Sequence, residues 1–250
     1  MIEVEGLSKS FNGNLVLNNI STTFDRGKVN LIIGISGSGK SVLTKCVVGL
    51  MDPDEGSVRY EGTEFIGLKK KQKSKYYQKI GMLFQGSALF DSMSVEENVG
   101  FPLKMFGNFS KGEIKDRVDF CLERVHIEGK NAMFPAEISG GMQKRVGIAR
   151  AIVMQPEYLF CDEPNSGLDP STSIVIDNLI QEITEELGMT SIVVTHDMNS
   201  VLEIGDKINF LHKGKLEWIG TKEEILHTDN ESLNQIVFAS QFMKMIKAKL

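Results

Sequence analysis

The order of hydrophobic and polar residues along the chain predicts both strands and helices. Residues 2–6 alternate between apolar and polar side chains, as in a half-buried strand, whereas residues 29–33 form an unbroken apolar run. Such a run is typical of a strand that is buried on both faces. Apolar residues at helical spacing mark 95–125, and Pro170 opens a long helix at a favoured first-turn position.

Shorter patterns of the same kinds predict the remaining elements. We expect strands at 58–60, 65–66, 80–84, 158–161 and 191–194, helices at 41–50, 141–154, 170–187 and 198–204, and a hairpin at 208–211 and 216–219. The early part of the chain is rich in strands, the middle is helical, and the last part alternates. This order predicts a parallel α/β core, an antiparallel sheet near the start and a helical insertion.

Composition and charge narrow the class of protein. The chain has 250 residues, of which 41% are hydrophobic and 24% charged, as in ordinary globular proteins. A net charge of −5 does not support nucleic-acid binding, and we expect no nucleic-acid partner. Three separated cysteines without a CxxC spacing favour buried, reduced thiols in a cytosolic protein. We expect neither a signal peptide nor a membrane span, because no apolar run approaches roughly 18 residues.

The segment GISGSGKS at residues 34–41 matches the phosphate-binding pattern GxxxxGK[ST] between a predicted strand and a predicted helix. Glycines let the backbone N–H groups approach phosphates closely, and the start of the helix adds partial positive charge. Lys40 is expected to reach the β- and γ-phosphates, and Ser41 to ligate Mg²⁺. The alternative is a chance glycine-rich turn. The predicted phosphate-binding residues are Gly34, Ser36, Gly37, Ser38, Gly39, Lys40 and Ser41.

Two carboxylates follow the apolar strand at 158–161. Beside a phosphate loop, Asp162 would help to hold Mg²⁺, either directly or through water, and Glu163 would polarise a water for attack on the γ-phosphate. The alternative is an ordinary acidic turn after a buried strand.

A second candidate phosphate contact lies in ISGGMQKR at 138–145, where Ser139, Gly140 and Gly141 precede a predicted helix. One nucleotide requires only one phosphate loop, so a second anion-binding helix start suggests that two chains enclose each ATP. The alternative is a plain N-cap followed by a flexible turn.

These segments occur in an order that resembles the ATP-binding subunits of ABC transporters, over nearly the whole chain. The resemblance implies an α/β P-loop NTPase fold of ABC type, with a mixed sheet core, an antiparallel β subdomain and a helical subdomain. It also implies ATP and Mg²⁺ as cofactors and one domain over 1–250. Its parts are a core with the β subdomain at about 1–86 and 156–230, helices at about 87–155 and a tail at 231–250.

Further roles follow from the resemblance. Gln85 corresponds to the Q-loop residue, which senses the γ-phosphate and Mg²⁺ and connects them to the membrane partner. Asp169 corresponds to the D-loop, which contacts the opposite subunit, and His196 to the switch histidine, which hydrogen-bonds the γ-phosphate. Phe11 occupies the place of an aromatic residue that stacks on adenine, although it could instead be a core phenylalanine.

The sequence departs from the family at two places. Ile138 and Met142 replace the leucine and the last glutamine of the common LSGGQ signature, whereas Ser139, Gly140 and Gly141 are retained. Asn165 replaces the more usual threonine or serine before the D-loop, and the sequence does not indicate the consequence.

The segment ALFDSMSVEENV at 88–99, together with Met142, is similar to a narrower group, the Mla-type ATPases of bacterial phospholipid transport. This similarity implies a homodimer at the cytoplasmic face of the inner membrane, permease subunits that dock near residues 86–106, and an MCE-domain lipid-binding partner. Apolar residues suited to docking there could also pack the helical subdomain itself; they are Leu89, Phe90, Met93, Phe101 and Met105.

Alternatives stay open at several points. The chain could be an ABC ATPase that works without a permease, such as an iron–sulfur assembly ATPase, or a nucleotide-binding scaffold without useful hydrolysis. The basic run at 69–75 could meet anionic lipids or form a solvated helix face. A tail stripe could clasp a second copy or cap its own domain; its members are Ile236, Ala239, Met243, Ile246 and Leu250.

Overall fold

The polypeptide forms two units, one from residues 1–69 together with the chain from residue 192 onward, the other from residues 70–191. The structure is a computed structural model and describes residues 1–239. Of the predicted tail stripe, Met243, Ile246 and Leu250 lie outside the described residues. The division into a core at 1–86 and 156–230 and a helical subdomain at 87–155 stays a prediction.

Strands predominate at the start of the described chain, helices in its middle, and the two mix in its last part. The strands are β1 (Ile2–Phe11), β2 (Asn14–Phe24), β3 (Val29–Ile33), β4 (Glu55–Tyr60), β5 (Thr63–Glu64), β6 (Ile80–Leu83), β7 (Tyr158–Asp162), β8 (Thr190–Thr195), β9 (Lys207–His212) and β10 (Lys215–Gly220). The helices are α1 (Lys40–Val48), α2 (Lys70–Tyr77), α3 (Val95–Phe106), α4 (Lys111–Arg124), α5 (Gly140–Ile152), α6 (Pro170–Leu187), α7 (Met198–Ile204) and α8 (Glu231–Val237). Short 3₁₀ turns lie at Pro135–Glu137 and Glu224–His227.

The first unit contains an antiparallel sheet in the order β2-β1-β4-β5. The sequence predicted only the start of β1 and missed β2, because register shifts along this pair break the regular alternation. The strand expected at 65–66 was wrong. The paired residues are Thr63 and Glu64, while Phe65 turns inward and packs edge-on against Tyr60, with ring centroids 5.1 Å apart.

A mixed sheet completes the first unit. Strand β3 pairs in parallel with β9, and β9 forms an antiparallel hairpin with β10. Every residue of β3 is buried, as its unbroken apolar run predicted. The predicted α/β class, with a mixed and an antiparallel sheet, is confirmed. Because β3 ends at Ile33, the strand delivers the chain directly into the segment at 34–41.

The second unit pairs β6 with β7 in parallel and packs α3, α4 and α5 against one another. Reciprocal side-chain to backbone bonds cap α3 (Ser94 with Glu97) and α4 (Ser110 with Glu113), which fixes where each helix begins. Helix α6 starts at Pro170 and ends before Gly188, which adopts the left-handed conformation. The helices predicted from apolar spacing are therefore present.

The structure also bears on the expectations for the cysteines, the basic run and membrane-spanning segments. All three cysteines are buried thiols, and burial raises the pKa of Cys46 to about 11 and that of Cys121 and Cys161 to about 12. The basic run forms α2, in which no residue is buried, as expected for a solvated helix face. Within residues 1–239, none of the helices has the length and apolarity to cross a bilayer.

We expect Asn98→Ala to destabilise the protein. Asn98 is fully buried on α3; its Oδ1 accepts a bond from Phe90 N at 2.8 Å, and its Nδ2 donates to the carbonyls of Phe90, Met93 and Ser94 at 3.0–3.1 Å. Alanine would remove the side-chain partner of Phe90 N and Met93 O, while Phe90 O and Ser94 O keep their backbone donors Met93 N and Asn98 N. We expect a cost of roughly 2–4 kcal/mol. Urea unfolding measures the loss. The matched control is Asn108→Ala at an exposed position, and equal losses in both variants would contradict the expectation.

Candidate functional site

The segment between β3 and α1 is a tight loop that packs closely against neighbouring backbone. Gly34 passes so close to β9 that a Cβ there would lie 2.2 Å from Leu211 O. Gly39 adopts φ 104° immediately before α1, a conformation that side-chain-bearing residues rarely adopt. The glycines of the predicted phosphate loop are thus required by the backbone path, and the loop opens onto a helix N-terminus.

Two polar side chains of this loop are buried in an arrangement that suits a phosphate ligand. Lys40 is only 6% exposed, and its Nζ donates to Gly34 O at 2.8 Å and to Ile35 O at 3.1 Å. The Ser38 hydroxyl is buried, and no protein atom within the described residues hydrogen-bonds it. A buried hydroxyl is costly without a partner, so a bound anion would satisfy it. Ser36 and Ser41 are exposed on the loop and on the first turn of α1.

The two other predicted site residues of the first unit are also exposed. Phe11, at the end of β1, is 39% exposed, with Lys9 Nζ 5.7 Å from its ring centre. The alternative that Phe11 is a core residue is therefore wrong. His196 follows β8 directly, before Asp197 caps α7 by accepting a bond from Asn199 N at 2.9 Å.

In the second unit, Gln85 and Glu163 lie side by side. Gln85 Nε2 donates to Glu163 Oε2 at 3.3 Å, although the two residues are 78 positions apart in the chain. Asp162 is the last residue of β7, and Glu163 follows it with φ 48° in the left-handed region. Such a conformation is uncommon for glutamate and is concentrated at functional sites. The structure thus brings together two residues that were predicted to act on the same phosphate.

Ser139 caps α5, with its hydroxyl accepting a bond from Met142 N at 3.3 Å. Gly140 is exposed, whereas Gly141 is buried so close to α6 that a Cβ would lie 2.6 Å from Thr172 Cγ2. The N-cap reading of Ser139 is therefore correct as a description. It does not exclude a phosphate contact, because the first N–H groups of a helix have no partner within the helix.

Asp169 caps α6 through three hydrogen bonds. Its carboxylate accepts from Thr172 N at 3.0 Å, from Ser171 Oγ at 2.5 Å and from Thr172 Oγ1 at 2.6 Å. These bonds hold the pKa of Asp169 well below its usual range, with the Ser171 hydroxyl as the largest cause. Nearby, Asn165 Nδ2 donates to the buried carboxylate of Asp177 at 2.8 Å, so this departure from the common sequence ties the D-loop region to α6.

Comparison with known proteins gives the family. A family model described as ABC transporter matches residues 17–166. The chain belongs to the ABC transporter family. ATP-binding domains of this family hydrolyse ATP with Mg²⁺, which agrees with the cofactors predicted from the sequence.

Relatives and solved ABC structures agree along most of the chain. The "Probable ribonucleotide transport ATP-binding protein mkl" of Mycobacterium tuberculosis is 38% identical over 94% of this chain, which spans 66% of that relative. The "Methionine import ATP-binding protein MetN" of Clostridioides difficile is 38% identical over 95% of this chain and 74% of its own length. The ATP-binding cassette MJ0796, a dimer bound to ADP and Pi, has a TM-score of 0.82 at 31% identity, covering 89% of this chain and 99% of its own. CbiO1 of Clostridium perfringens, part of the ABC transporter complex cbiONQ, has a TM-score of 0.85 at 30% identity, covering 100% and 98%.

The segment predicted to dock an ABC permease presents part of its apolar residues. Phe90 is 41% and Met105 61% exposed, whereas Leu89, Met93 and Phe101 are half-buried. The Phe90 and Phe101 rings pack at 4.8 Å between centroids. Some of these side chains therefore pack within the segment itself, and docking stays a prediction.

Sequence reasoning missed Lys144 in α5 of this ABC chain. Lys144 is 5% exposed, and its Nζ donates to the carbonyls of Gln85 and Glu163, the latter at 3.5 Å. Burial lowers the pKa of Lys144, while neighbouring Cys161, Glu163 and Asp162 oppose that shift. The available signal was helical spacing, since Lys144 shares a buried stripe with Gly147, Ile148 and Ala151.

We expect Asp169→Asn to weaken the pH dependence of stability. A carboxylate with a depressed pKa in the folded state stabilises that state above its unfolded pKa of about 3.9, and this contribution disappears as the pH falls through the folded value. Asparagine retains an N-cap oxygen but does not titrate. Urea midpoints at pH 7, 5 and 3 should therefore decline less in the variant than in the wild type. Asp116→Asn on the exposed face of α4 is the control, and parallel declines in Asp169→Asn and wild type would refute the expectation.

Proposed function

We propose that this chain is a Mg-dependent ATPase subunit of a transporter, in which two copies close head to tail on ATP and reopen after hydrolysis. The observation that carries the proposal is the loop at 34–41. There, Lys40 is buried beside a helix N-terminus, as is the Ser38 hydroxyl, which has no hydrogen-bond partner among residues 1–239. The ABC transporter family model, whose match over residues 17–166 includes this loop, supports the same interpretation.

In this proposal, residues of the first unit bind the phosphates and the adenine of ATP. The backbone N–H groups from Gly34 to Gly39 surround the β-phosphate, and Lys40 exchanges its carbonyl partners for phosphate oxygens, which are stronger acceptors. Phe11 stacks on adenine with its exposed face, and His196 donates to the γ-phosphate. Ser41, Gln85 and Asp162 would hold Mg²⁺, which when bound neutralises phosphate charge.

Hydrolysis requires a water that Glu163 polarises. The carboxylate accepts a proton from that water at Oε1 or Oε2, while the Gln85 amide fixes the orientation of the carboxylate through its bond to Oε2. Ser139, Gly140, Gly141 and Asp169 act across the interface on the nucleotide of the second copy. The dimeric form of the ADP- and Pi-bound neighbour supports this arrangement.

We expect Glu163→Gln to lower the turnover number by about 10²–10⁴-fold, because the amide cannot accept the proton, while ATP still binds. The trapped variant should elute as an ATP-dependent dimer in size-exclusion chromatography. The matched control is Glu157→Gln, an exposed residue just before β7 that pairs with Lys79 at 2.7 Å. Lys40→Ala should lose nucleotide affinity as well as turnover. A wild-type turnover number in Glu163→Gln would show that Glu163 is not the general base.

We further propose that the transported cargo is phospholipid. The support is the resemblance of residues 88–99 and Met142 to the Mla type. The relatives carry names for other cargo, ribonucleotide and methionine, so the ATPase domain alone does not define the substrate. In this proposal the chain lies at the cytoplasmic face of the inner membrane, bound to a permease near residues 86–106 and associated with an MCE-domain protein.

Affinity purification from detergent-solubilised membranes tests the cargo and the partners together. Mass spectrometry of the material that co-purifies with the tagged chain should identify a permease, an MCE-domain protein and phospholipid. Met105→Glu, which places a charge at the most exposed apolar position of α3, should reduce the recovered permease at least tenfold. Phe120→Glu on α4, 46% exposed, is the matched control. Recovery of the chain without any membrane subunit would favour an ABC ATPase that acts without a permease.

A further inference from the structure

We propose that Lys144 is a positioning residue for hydrolysis, which holds the backbones of Gln85 and Glu163 so that their side chains meet. This inference rests on the proposed ATPase function. Lys144 itself has no predicted contact with nucleotide. Its two hydrogen bonds to Gln85 O and Glu163 O connect the segments that carry the pairing of Gln85 Nε2 with Glu163 Oε2.

The first support is burial. A lysine that is 5% exposed gives up most of its hydration and must regain it from protein acceptors. Within residues 1–239, the acceptors of Lys144 are two main-chain carbonyls from segments 78 positions apart in the chain. A single ammonium group therefore bridges the loop after β6 and the turn after β7, two residues beyond the last paired residues of the ladder, Leu83 and Cys161.

The second support is backbone conformation. Ser87, Ala88 and Glu163 all have positive φ, at 60°, 47° and 48°. This region is unfavourable for residues with side chains and persists only where the surroundings enforce it. The carbonyls of all three accept bonds from cations of α5: Arg150 donates to Ser87 O and, at 2.7 Å, to Ala88 O, and Lys144 donates to Glu163 O.

The third support is the close packing of α5 against the same loop. A Cβ at Gly147 would lie 2.7 Å from Leu83 Cδ1 and 3.5 Å from Ser87 Cβ. Gly147 stands one turn after Lys144 and one turn before Arg150 on this helix. The helix face thus contacts the loop region at three successive points, and at the central one the Leu83 side chain lies directly against Gly147. The helix that carries Lys144 is therefore held in place against this loop.

Loss of the ammonium group would release both carbonyls and let the Gln85–Glu163 pair drift. Displacements of about 1 Å in a catalytic arrangement cost on the order of 10²-fold in rate. Nucleotide affinity depends on the loop at 34–41 and would be preserved. The signature of a positioning residue is therefore a fall in turnover number with an unchanged KM.

Steady-state ATPase kinetics test this inference with Lys144→Met, which keeps an unbranched side chain one atom shorter and removes the charge. We expect kcat to fall by about 10–100-fold with KM within twofold of wild type. Lys115→Met, at an exposed position of α4, should match wild type. In a Gln85→Ala background, where the side-chain pairing is already lost, the further loss from Lys144→Met should be at most a few-fold.

Several results would overturn the inference. One is a wild-type kcat in Lys144→Met, and another is a fall in ATP affinity as large as the fall in kcat. A third is that Lys144→Met lowers kcat by the same factor in the wild-type and the Gln85→Ala backgrounds. Thermal unfolding confirms that each variant is folded, and Lys144→Gln replaces the methionine variant under the same criteria if that variant does not fold. A wild-type chain without Mg-ATPase activity would overturn the proposed function and this inference together. Active wild type with an unaffected Lys144→Met overturns only the inference.

Discussion

A buried ammonium group must keep its hydrogen bonds, because the free energy of removing it from water is otherwise not recovered. Each unit of this chain contains such a lysine in its candidate site. Lys40 and Lys144 are 6% and 5% exposed, and the hydrogen bonds described for both run to main-chain carbonyls. Carbonyl partners bind less strongly than charged oxygens. Lys40 can therefore exchange its carbonyl partners for phosphate oxygens. Lys144, by contrast, donates to one carbonyl in each of two loops and so connects those loops.

The short motifs could be predicted from the sequence because each is contiguous. The loop at 34–41 needs only its glycines and the strand before it, and Pro170 with Asp169 marks the start of α6 within a few residues. The helices were likewise predictable from apolar spacing and capping residues. In these cases the interactions that determine the structure are local, so the pattern contains the necessary information.

What the sequence did not predict depends on contacts between distant segments. Strand β2 was not predicted because bulges against β1 break its alternation. The strand predicted at 65–66 lies instead at Thr63–Glu64, and Phe65 packs in the core against Tyr60. The pairing of Gln85 with Glu163 joins residues far apart in the chain, and Lys144 reaches both from a third element. Periodicity places Lys144 on a buried face but does not identify the carbonyls opposite it.

Helix α5 combines these constraints into one rigid element. Over about 20 Å it carries the Ser139 cap at its start, Lys144 beneath the Gln85–Glu163 pair and Arg150 beneath the loop at 87–88. That loop leads to Phe90, whose backbone is clamped by buried Asn98. A displacement at the start of α5 would thus reach the exposed apolar residues through hydrogen-bonded backbone. Because relatives named for different cargo share this domain, we infer that the differences in substrate do not arise in the phosphate loop.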